Sequence, residues 1–215
     1  MQKGLIKVTD PVERLIHWGL AVSCLILIVT GMGMMFRSFN FIATILGGLK
    51  HLIYVHNFTG LAFTAALVFT ILKWWKEAGV FAPEDVEWLK AAGGYLWHTD
   101  QVPEAGRYNP GQKVFFITVS TCGVIMVITG LIMWFPLSFP VWLVRWMYPL
   151  HALWFITIMA FFIIHFYLGT GGSPGSSAAM FTGWVTKDWL RKQHGKWLKE
   201  IEKKNKLEIL GGGKD

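Results

Sequence analysis

Two histidines stand in a strongly apolar segment, "YPLHALWFITIMAFFIIHFYLGT", which covers residues 148–170 and carries no formal charge. His151 and His165 are fourteen residues apart. In an α-helix this spacing corresponds to a rise of about 21 Å, and a rotation of about 100° per residue leaves both rings on nearly the same face. A neutral imidazole is a good ligand for iron, and in hydrocarbon its nitrogens need partners. The pair therefore indicates metal or proton chemistry at two depths of a membrane.

The composition is that of a membrane protein, because hydrophobic residues make up 53% of the 215 residues and charged residues only 15%. Two shorter apolar pieces, "FNFIATILGG" and "FPLSFPVWLVRWMYPL", are interpreted as interfacial connectors. We predict an all-α membrane protein: a four-transmembrane-helix bundle over residues 1–175, followed by a cytoplasmic basic tail over residues 176–215. Four stretches are long enough to span about 30 Å of hydrocarbon: residues 15–35, 52–75, 114–135 and 150–170.

Positive charge is unevenly divided between the two sides of this topology. The N-terminal segment, the loop between the second and third spans, and the C-terminal tail hold 17 of the 20 Lys and Arg residues. The other side holds Arg37, Lys50 and Arg145. Because positive loops stay inside, both termini are predicted to lie in the cytoplasm.

The C-terminal segment "WVTKDWLRKQHGKWLKEIEKKNKLEIL" is predicted to form one amphipathic helix, with Leu190, Trp197 and Ile201 at helical spacing. Such a helix can rest on anionic lipid or serve as a docking surface for a partner subunit. The preceding "GTGGSPGSSAA" is predicted to be a flexible exit from the fourth span. Cys24 and Cys122 are expected to be packing residues, and no CxxCH motif for covalent haem is present.

Topology assigns each histidine a depth. His17 lies near the cytoplasmic end of the first span, and His56 about one turn below the outer face in the second. The fourth span places His151 on the outer side and His165 on the inner side. One pair at each level predicts two b-type haems, each held by two imidazoles. Three glycines could admit a macrocycle or serve helix packing: Gly60, Gly123 and Gly130.

A lone intramembrane histidine can equally be a proton-relay group or an interhelical hydrogen-bond partner. A haem-free transporter or structural anchor is therefore an alternative. His51 is the main rival to His56, but it lies at the membrane edge. His98 and His194 fall in cytoplasmic segments and are expected at the surface.

The motif "RYNPGQK", residues 107–113, leads into the third span on the cytoplasmic side. Asn109 is placed to be the N-cap, Pro110 the first helical residue and Gln112 the third, which is a capping arrangement. The two amides also lie at the depth of the inner histidine pair. They could donate hydrogen bonds to a quinone, with protons taken from the cytoplasm.

Five motifs together resemble a known family: "RLIHWG", "VHNFTGLAF", "RYNPGQK", "VITGLIMWF" and the His-x13-His spacing of the fourth span. They are similar to the membrane cytochrome b (gamma) subunits of respiratory formate dehydrogenases. The similarity runs over nearly the whole chain and includes "WLRKQHGKWLKEIEK" in the tail. It implies a multi-pass protein of the bacterial inner membrane.

The resemblance also implies specific roles and partners. In this family a molybdenum or tungsten pterin subunit oxidises formate, and an iron–sulfur subunit passes the electrons to the outer haem. The chain would then carry electrons to quinone as a di-haem b membrane anchor, with no catalytic residue, no formate site and no nucleic-acid partner. Six positions correspond to the family's cofactor-binding residues: His56 and His151 at the periplasmic haem, His17 and His165 at the cytoplasmic haem, and Asn109 and Gln112 at the menaquinone site.

Two alternatives keep the same architecture or cofactor. The chain could be the cytochrome b subunit of another quinone-linked complex, such as a hydrogenase or a thiosulfate reductase, because nothing in it contacts the primary substrate. An outward-facing ferric reductase is disfavoured, since the outer loops offer no second acceptor site.

Overall fold

The computed structural model describes residues 4–94 and 102–204. These residues are almost entirely helical, with one short two-stranded sheet. The α-helices are α1 (Pro11–Met35), α2 (Phe41–Ile45), α3 (Leu49–Ala78), α4 (Pro83–Lys90), α5 (Pro110–Trp134), α6 (Val141–Tyr167), α7 (Ser176–Phe181), α8 (Lys187–Gln193) and α9 (Gly195–Lys203). Of these, α1, α3, α5 and α6 are long and apolar enough to cross a membrane. The prediction of an all-α protein with four transmembrane helices is confirmed, and the chain is a multi-pass membrane protein.

The helices α1 and α5 begin with the same local structure. The Glu13 N–H donates to Asp10 Oδ1 at 2.8 Å, and the Asp10 N–H donates to Glu13 Oε2 at 3.0 Å. Asn109 and Gln112 make the same reciprocal pair at the start of α5, at 2.8 and 2.9 Å. A proline stands at the first helical position in both cases. Each helix therefore starts with a capping box that satisfies backbone donors without water.

The helix α6 begins nine residues earlier than the predicted fourth span, at Val141 instead of residue 150. The segment interpreted as a second connector is mostly helical, and Pro149 lies inside the helix. Proline is tolerated there because neighbouring helices and side chains can satisfy the freed carbonyl of a membrane helix. Trp142 and Trp146 are exposed on this first part of α6, as expected of an interfacial aromatic belt.

The first connector, "FNFIATILGG", begins at the end of a 3₁₀ turn at Arg37–Phe39 and contains the five-residue helix α2. His51 follows at the start of α3, and its Nδ1 donates to the Gly47 carbonyl oxygen at 3.0 Å. The carbonyl oxygen can only accept, so the proton is on Nδ1. His51 is thus an exposed residue that stabilises a turn.

The chain divides into two compact units. The first, which we call the helical unit, contains Leu15–Leu72 and Thr118–Ile163. Within it, Leu67 of α3 packs so closely against α5 that a Cβ at Gly123 would lie 2.8 Å from Leu67 Cδ2. Gly123 therefore serves helix packing. Large apolar side chains such as Leu72 lie on the outer faces, 74% exposed in that case, as expected of a surface that contacts lipid.

The second unit, called the tail unit, contains Met1–Arg14, Lys73–Ile117 and Ile164–Asp215. Its strands β1 (Leu5–Lys7) and β2 (Trp184–Thr186) pair antiparallel, with Ile6 opposite Val185. Leu190 and Leu198 join these two residues in a buried cluster. The C-terminal segment is therefore folded against the N-terminal strand.

The single amphipathic helix predicted for the C-terminal segment is not formed within the described residues. The segment consists of β2, α8 and α9, with a break at His194 (φ −142°, ψ 46°). The apolar residues at helical spacing pack on or near β1 because this interior is available to them. The Gly- and Ser-rich exit before it contains a π-helical turn at Leu168–Gly172, followed by α7.

Gly183 joins α7 to β2 at φ +89°, a left-handed conformation that favours glycine. The N–H groups of Val8 and Thr9 donate to its carbonyl oxygen at 2.9 and 3.4 Å. A Cβ at this position would lie 2.8 Å from the Thr9 carbonyl oxygen. Glycine is therefore required where the tail meets the N-terminal segment.

We expect Leu190→Ala to destabilise the tail unit by about 2–5 kcal/mol, because the fully buried side chain leaves a cavity in the small core around β1 and β2. Hydrogen–deuterium exchange of the purified protein in detergent should become faster across residues 184–198. Leu89→Ala is the matched control, since Leu89 is 38% exposed in the same unit. Equal exchange in both variants would contradict a core at Leu190.

Candidate functional site

The structure brings together His56 of α3 and His151 of α6, which were predicted to form the outer pair. Their ring centroids are 6.4 Å apart and the ring planes are inclined by 65°. Both residues belong to the helical unit. Their nearest polar partners are threonines on the other two long helices.

His56 is held by Thr30 of α1. The Thr30 hydroxyl donates to the Ile26 carbonyl oxygen at 2.7 Å, and the same Oγ1 lies 2.8 Å from His56 Nδ1. A hydroxyl has one proton. The direction of the bond to His56 depends on the imidazole tautomer: with the hydroxyl proton on the backbone carbonyl, Oγ1 accepts from a protonated Nδ1.

His151 is held in the same way by Thr129 of α5. The Thr129 hydroxyl donates to the Ile125 carbonyl oxygen at 2.8 Å, and Oγ1 lies 2.7 Å from His151 Nδ1. In the same way, Nδ1 of His151 is the donor when the Thr129 hydroxyl donates to the backbone carbonyl. Both histidines thus have a side-chain acceptor on a neighbouring helix.

This arrangement fits the donor set that a haem iron needs. When Nδ1 of a neutral imidazole is protonated, Nε2 carries the lone pair that binds a metal. Metal–imidazole bonds are about 2 Å long, so two rings that hold one metal from opposite sides have centroids roughly 6 Å apart. The observed separation of 6.4 Å agrees with this requirement.

Glycines lie beside both rings. A Cβ at Gly31 would lie 3.7 Å from Cε1 of His56, and a Cβ at Gly130 would lie 3.5 Å from Cε1 of His151. A Cβ at Gly60, one turn after His56, would meet no described atom within 4 Å. The backbone is thus open at Gly60 and close to a histidine ring at Gly130, and their role in admitting a macrocycle stays a prediction. Gly31 was not singled out in the sequence.

His17 and His165, predicted to form the inner pair, belong to different compact units, and their pairing stays a prediction. His17 lies on α1 with its ring edge-on to Trp18, at 5.3 Å between centroids. The ring of His165 on α6 stacks on Phe115 of α5, with centroids 4.2 Å apart and an interplanar angle of 8°. Phe115 was not singled out in the sequence, although it lies three residues after Gln112.

Asn109 and Gln112 are held rigidly by the capping box at the start of α5. Their reciprocal bonds use both side-chain oxygens as acceptors of backbone N–H groups. The two NH₂ groups, which are donors only, are thereby left to other acceptors. Asn109 lines a cavity of about 570 Å³, which Gly172 and Ser173 also line. That volume is in the range of small-molecule sites.

An ion-pair network precedes this capping box. Arg107 donates to Glu13 Oε1 at 2.7 Å and to Glu77 Oε2 at 2.9 Å. Glu13 is only 2% exposed, and Lys73 lies 3.6 Å from the same carboxylate. Because a buried carboxylate needs compensation, Arg107 ties the loop before Asn109 to the start of α1 and the end of α3.

His194 is buried, 4% exposed, which corrects the expectation that it is a surface residue. Its Nδ1 donates to the Gly106 carbonyl oxygen at 2.8 Å, and its ring lies between those of Trp189 and Trp197. It fills the break between α8 and α9 and links the tail to the loop that carries Asn109. His98, the other histidine expected at the surface, lies outside the described residues.

The threonines were missed because each is far in sequence from its histidine, yet a signal was present. A Thr-Gly dipeptide occurs near the end of both α1 and α5, and its threonine is Thr30 in the first and Thr129 in the second. In both helices a phenylalanine follows five residues after the glycine. Each threonine comes twenty residues after the N-cap residue, Asp10 or Asn109. The two helices therefore form an internal repeat with a constant offset of 99 residues.

The stability of the tail unit should fall as the pH drops below about 6.5, the ordinary pKa of histidine. Burial lowers the pKa of His194, against the opposing effect of its bond to Gly106. The imidazole of His194 therefore binds a proton more readily in the unfolded state than in the folded state. Its contribution to the free energy of unfolding is complete above pH 6.5 and is lost as the pH falls through the lowered pKa of the folded state. Limited proteolysis of the tail should be faster at pH 5.5 than at pH 7.5.

His194→Gln should reduce this pH dependence, because an amide can still donate to Gly106 but cannot be protonated in this range. The quantity compared is the ratio of cleavage rates at the two pH values in the two proteins. An equal ratio would show that other groups are responsible.

Comparison with known proteins identifies the family. Residues 8–183 match the family described as prokaryotic cytochrome b561. The formate dehydrogenase cytochrome b556(fdo) subunit of Escherichia coli (strain K12) is 28% identical over 202 residues, covering 93% of this chain and 94% of that protein. The formate dehydrogenase cytochrome b556 subunit of Haemophilus influenzae is 30% identical over 199 residues, with 91% and 82% covered.

The nitrate-inducible formate dehydrogenase cytochrome b556(Fdn) subunit of Escherichia coli is 27% identical over 199 residues, with 91% of both chains covered. These similarities confirm the resemblance drawn from the sequence motifs. They also imply a b-type haem, which the donor set at His56 and His151 fits. The chain belongs to the prokaryotic cytochrome b561 family.

Proposed function

We propose that the chain is the di-haem b membrane anchor of a formate dehydrogenase complex, and that it carries electrons from a partner iron–sulfur subunit across the membrane to quinone. The observation that carries this proposal is the pair of facing histidines, each with its Nδ1 bound to a buried threonine. The names of the relatives support the choice of complex. Formate itself is oxidised in another subunit, and this chain contributes no formate site.

The histidines would hold the haems in two pairs. His56 and His151 would bind the outer haem, and His17 and His165 the inner haem. Two imidazoles on one iron leave no open coordination position, which favours electron transfer over oxygen chemistry. A bound b-type haem supplies one-electron iron chemistry; the protein supplies ligand orientation and a dry environment.

Asn109 and Gln112 would bind the quinone, which the family resemblance gives as a menaquinone. A quinone carbonyl accepts hydrogen bonds, and the amide NH₂ groups are the donors that the capping box leaves to other acceptors. The rigid backbone at the start of α5 would keep these donors in place. The cavity of about 570 Å³ beside Asn109 offers room for a ring of this size.

The excess of Lys and Arg in the terminal segments and in the loop between α3 and α5 supports cytoplasmic termini in a bacterial inner membrane. On this orientation, quinone reduction takes protons from the cytoplasm while electrons arrive from the outer side. Each charge moved across the membrane is worth about 2.3 kcal/mol per 100 mV. The partners would be an iron–sulfur subunit and a molybdenum or tungsten pterin subunit.

We expect the purified protein to contain two b-type haems per chain by pyridine haemochrome assay. His165→Ala should remove the inner haem and quinol formation, because the iron loses one of its two ligands. The outer haem should stay reducible. Unchanged haem content in this variant would contradict the ligand role of His165, and absence of b-type bands in the wild type would favour a haem-free protein.

Asn109→Ala should weaken the binding of a quinone analogue while both haems are retained. The measurement is a fluorescence or absorbance titration with the analogue, accompanied by the haem assay. Asn109→Asp is the matched control for capping, since it keeps the cap oxygen but removes the NH₂ donor. If the analogue binds Asn109→Asp as tightly as the wild type, the residue serves only as a helix cap.

A further inference from the structure

The two threonines beside the outer histidines occupy equivalent positions of the internal repeat. Thr30 stands twenty residues after the N-cap of α1, and Thr129 stands twenty residues after the N-cap of α5. Their side chains are buried, at 2% and 3% exposure. The helices α1 and α5 therefore carry a hydroxyl at the same position. The hydroxyl of Thr30 contacts His56, and that of Thr129 contacts His151.

We propose that Thr30 and Thr129 are positioning residues which hold both outer imidazoles in the Nδ1-protonated form and thereby lower the reduction potential of the outer haem. This inference rests on the proposed ligand role of His56 and His151. It concerns the chain's own hydrogen bonds toward that haem and is independent of the identity of the quinone and of the partner subunits.

Each threonine hydroxyl is suited to accept a bond from Nδ1 because it can direct its own proton to a carbonyl oxygen of its helix. Each threonine also has a second carbonyl within reach, Leu27 at 3.2 Å for Thr30 and Met126 at 3.2 Å for Thr129. With the proton directed to the helix backbone, Oγ1 can only accept from the ring. In the other tautomer the hydroxyl would have to turn from the helix carbonyl to Nδ1, and Nε2 would then carry the proton and could not bind a metal.

The glycine that follows each threonine completes the arrangement. Gly31 and Gly130 let the ring edges approach the backbone, since a Cβ there would lie 3.7 and 3.5 Å from the two Cε1 atoms. The Thr-Gly dipeptide thus combines an acceptor for Nδ1 with space for the ring. Because the dipeptide is present on both sides, the two imidazoles are constrained alike.

The expected effect on potential has a definite sign. An acceptor at Nδ1 raises the basicity of a ligating imidazole. A more basic ligand stabilises ferric over ferrous iron, so the potential falls. Removing the threonine hydroxyl should therefore raise the reduction potential of the outer haem and leave the potential of the inner haem unchanged.

The test uses Thr30→Val and Thr129→Val, which keep the shape of the side chain and remove the hydroxyl, in the full-length protein purified with its haems. Redox titration followed by absorbance gives the midpoint potential of each haem. The titration should show two redox waves, one for each haem. Each variant should raise the midpoint potential of one wave, and the double variant should raise it further. A tenfold loss of preference for ferric iron corresponds to about 59 mV for one electron.

Two further variants separate positioning from structure. Thr30→Ser and Thr129→Ser keep the hydroxyl, so they should restore the wild-type potential, or restore the haem if the valine variants lose it. Thr157→Val is the matched control, because Thr157 lies on α6 with its hydroxyl directed to the Leu153 carbonyl oxygen, and the residue is half-buried. It should leave both waves unchanged.

The inference is overturned if the valine variants keep both haems at unchanged potentials, or if the serine variants do not recover what the valine variants lose. Its failure can be told apart from failure of the proposed function. Two haem waves in the wild type support the di-haem proposal whatever the threonine variants do. A wild-type protein that lacks the outer wave overturns the ligand pair itself, and the inference with it.

Discussion

Hydrocarbon offers no hydrogen bonds, and this constraint governs every polar group in the helical unit. An imidazole placed there needs a partner for each of its two nitrogens. For His56 and His151, one nitrogen is bound to a threonine of another helix. The threonines in turn direct their protons to their own helix backbone. The chain of bonds leaves one lone pair on each ring, and the proposed haem iron would use both.

Polar groups are hydrogen-bonded in the same way where α1 and α5 begin. Asp10 with Glu13, and Asn109 with Gln112, satisfy backbone donors at the starts of α1 and α5 by reciprocal side-chain bonds. In the second pair the residue types are amides, which retain donors after capping. At equivalent positions, the start of α1 has two carboxylates and the start of α5 has two amides. Because amides keep donors after capping, the start of α5 is the candidate binding site. Capping and the proposed quinone binding are thus compatible, because they use different atoms of the same residues.

In the tail unit, the C-terminal segment contacts the loop that leads to Asn109. His194 binds the carbonyl of Gly106, and Lys199 pairs with Glu104 at 2.7 Å. Lys196 pairs with Glu84. The contacts to Gly106 and Glu104 hold the loop that leads to Asn109, and the Lys196 pair joins α9 to α4. The basic character of the tail, which the sequence suggests is for lipid or a partner, is therefore partly used inside the chain.

The sequence by itself determined the four spans, because hydropathy summed over about twenty residues is a local property. It also identified the candidate histidines, from helical spacing and depth, and the capping box at Asn109. Only the tertiary structure decided the contacts of Thr30 and Thr129, which lie 26 and 22 residues from their histidines. It also decided the early start of α6 and the folding of the tail onto β1. These features depend on which helix faces meet and on which interior is available, and neither is encoded in a local periodicity.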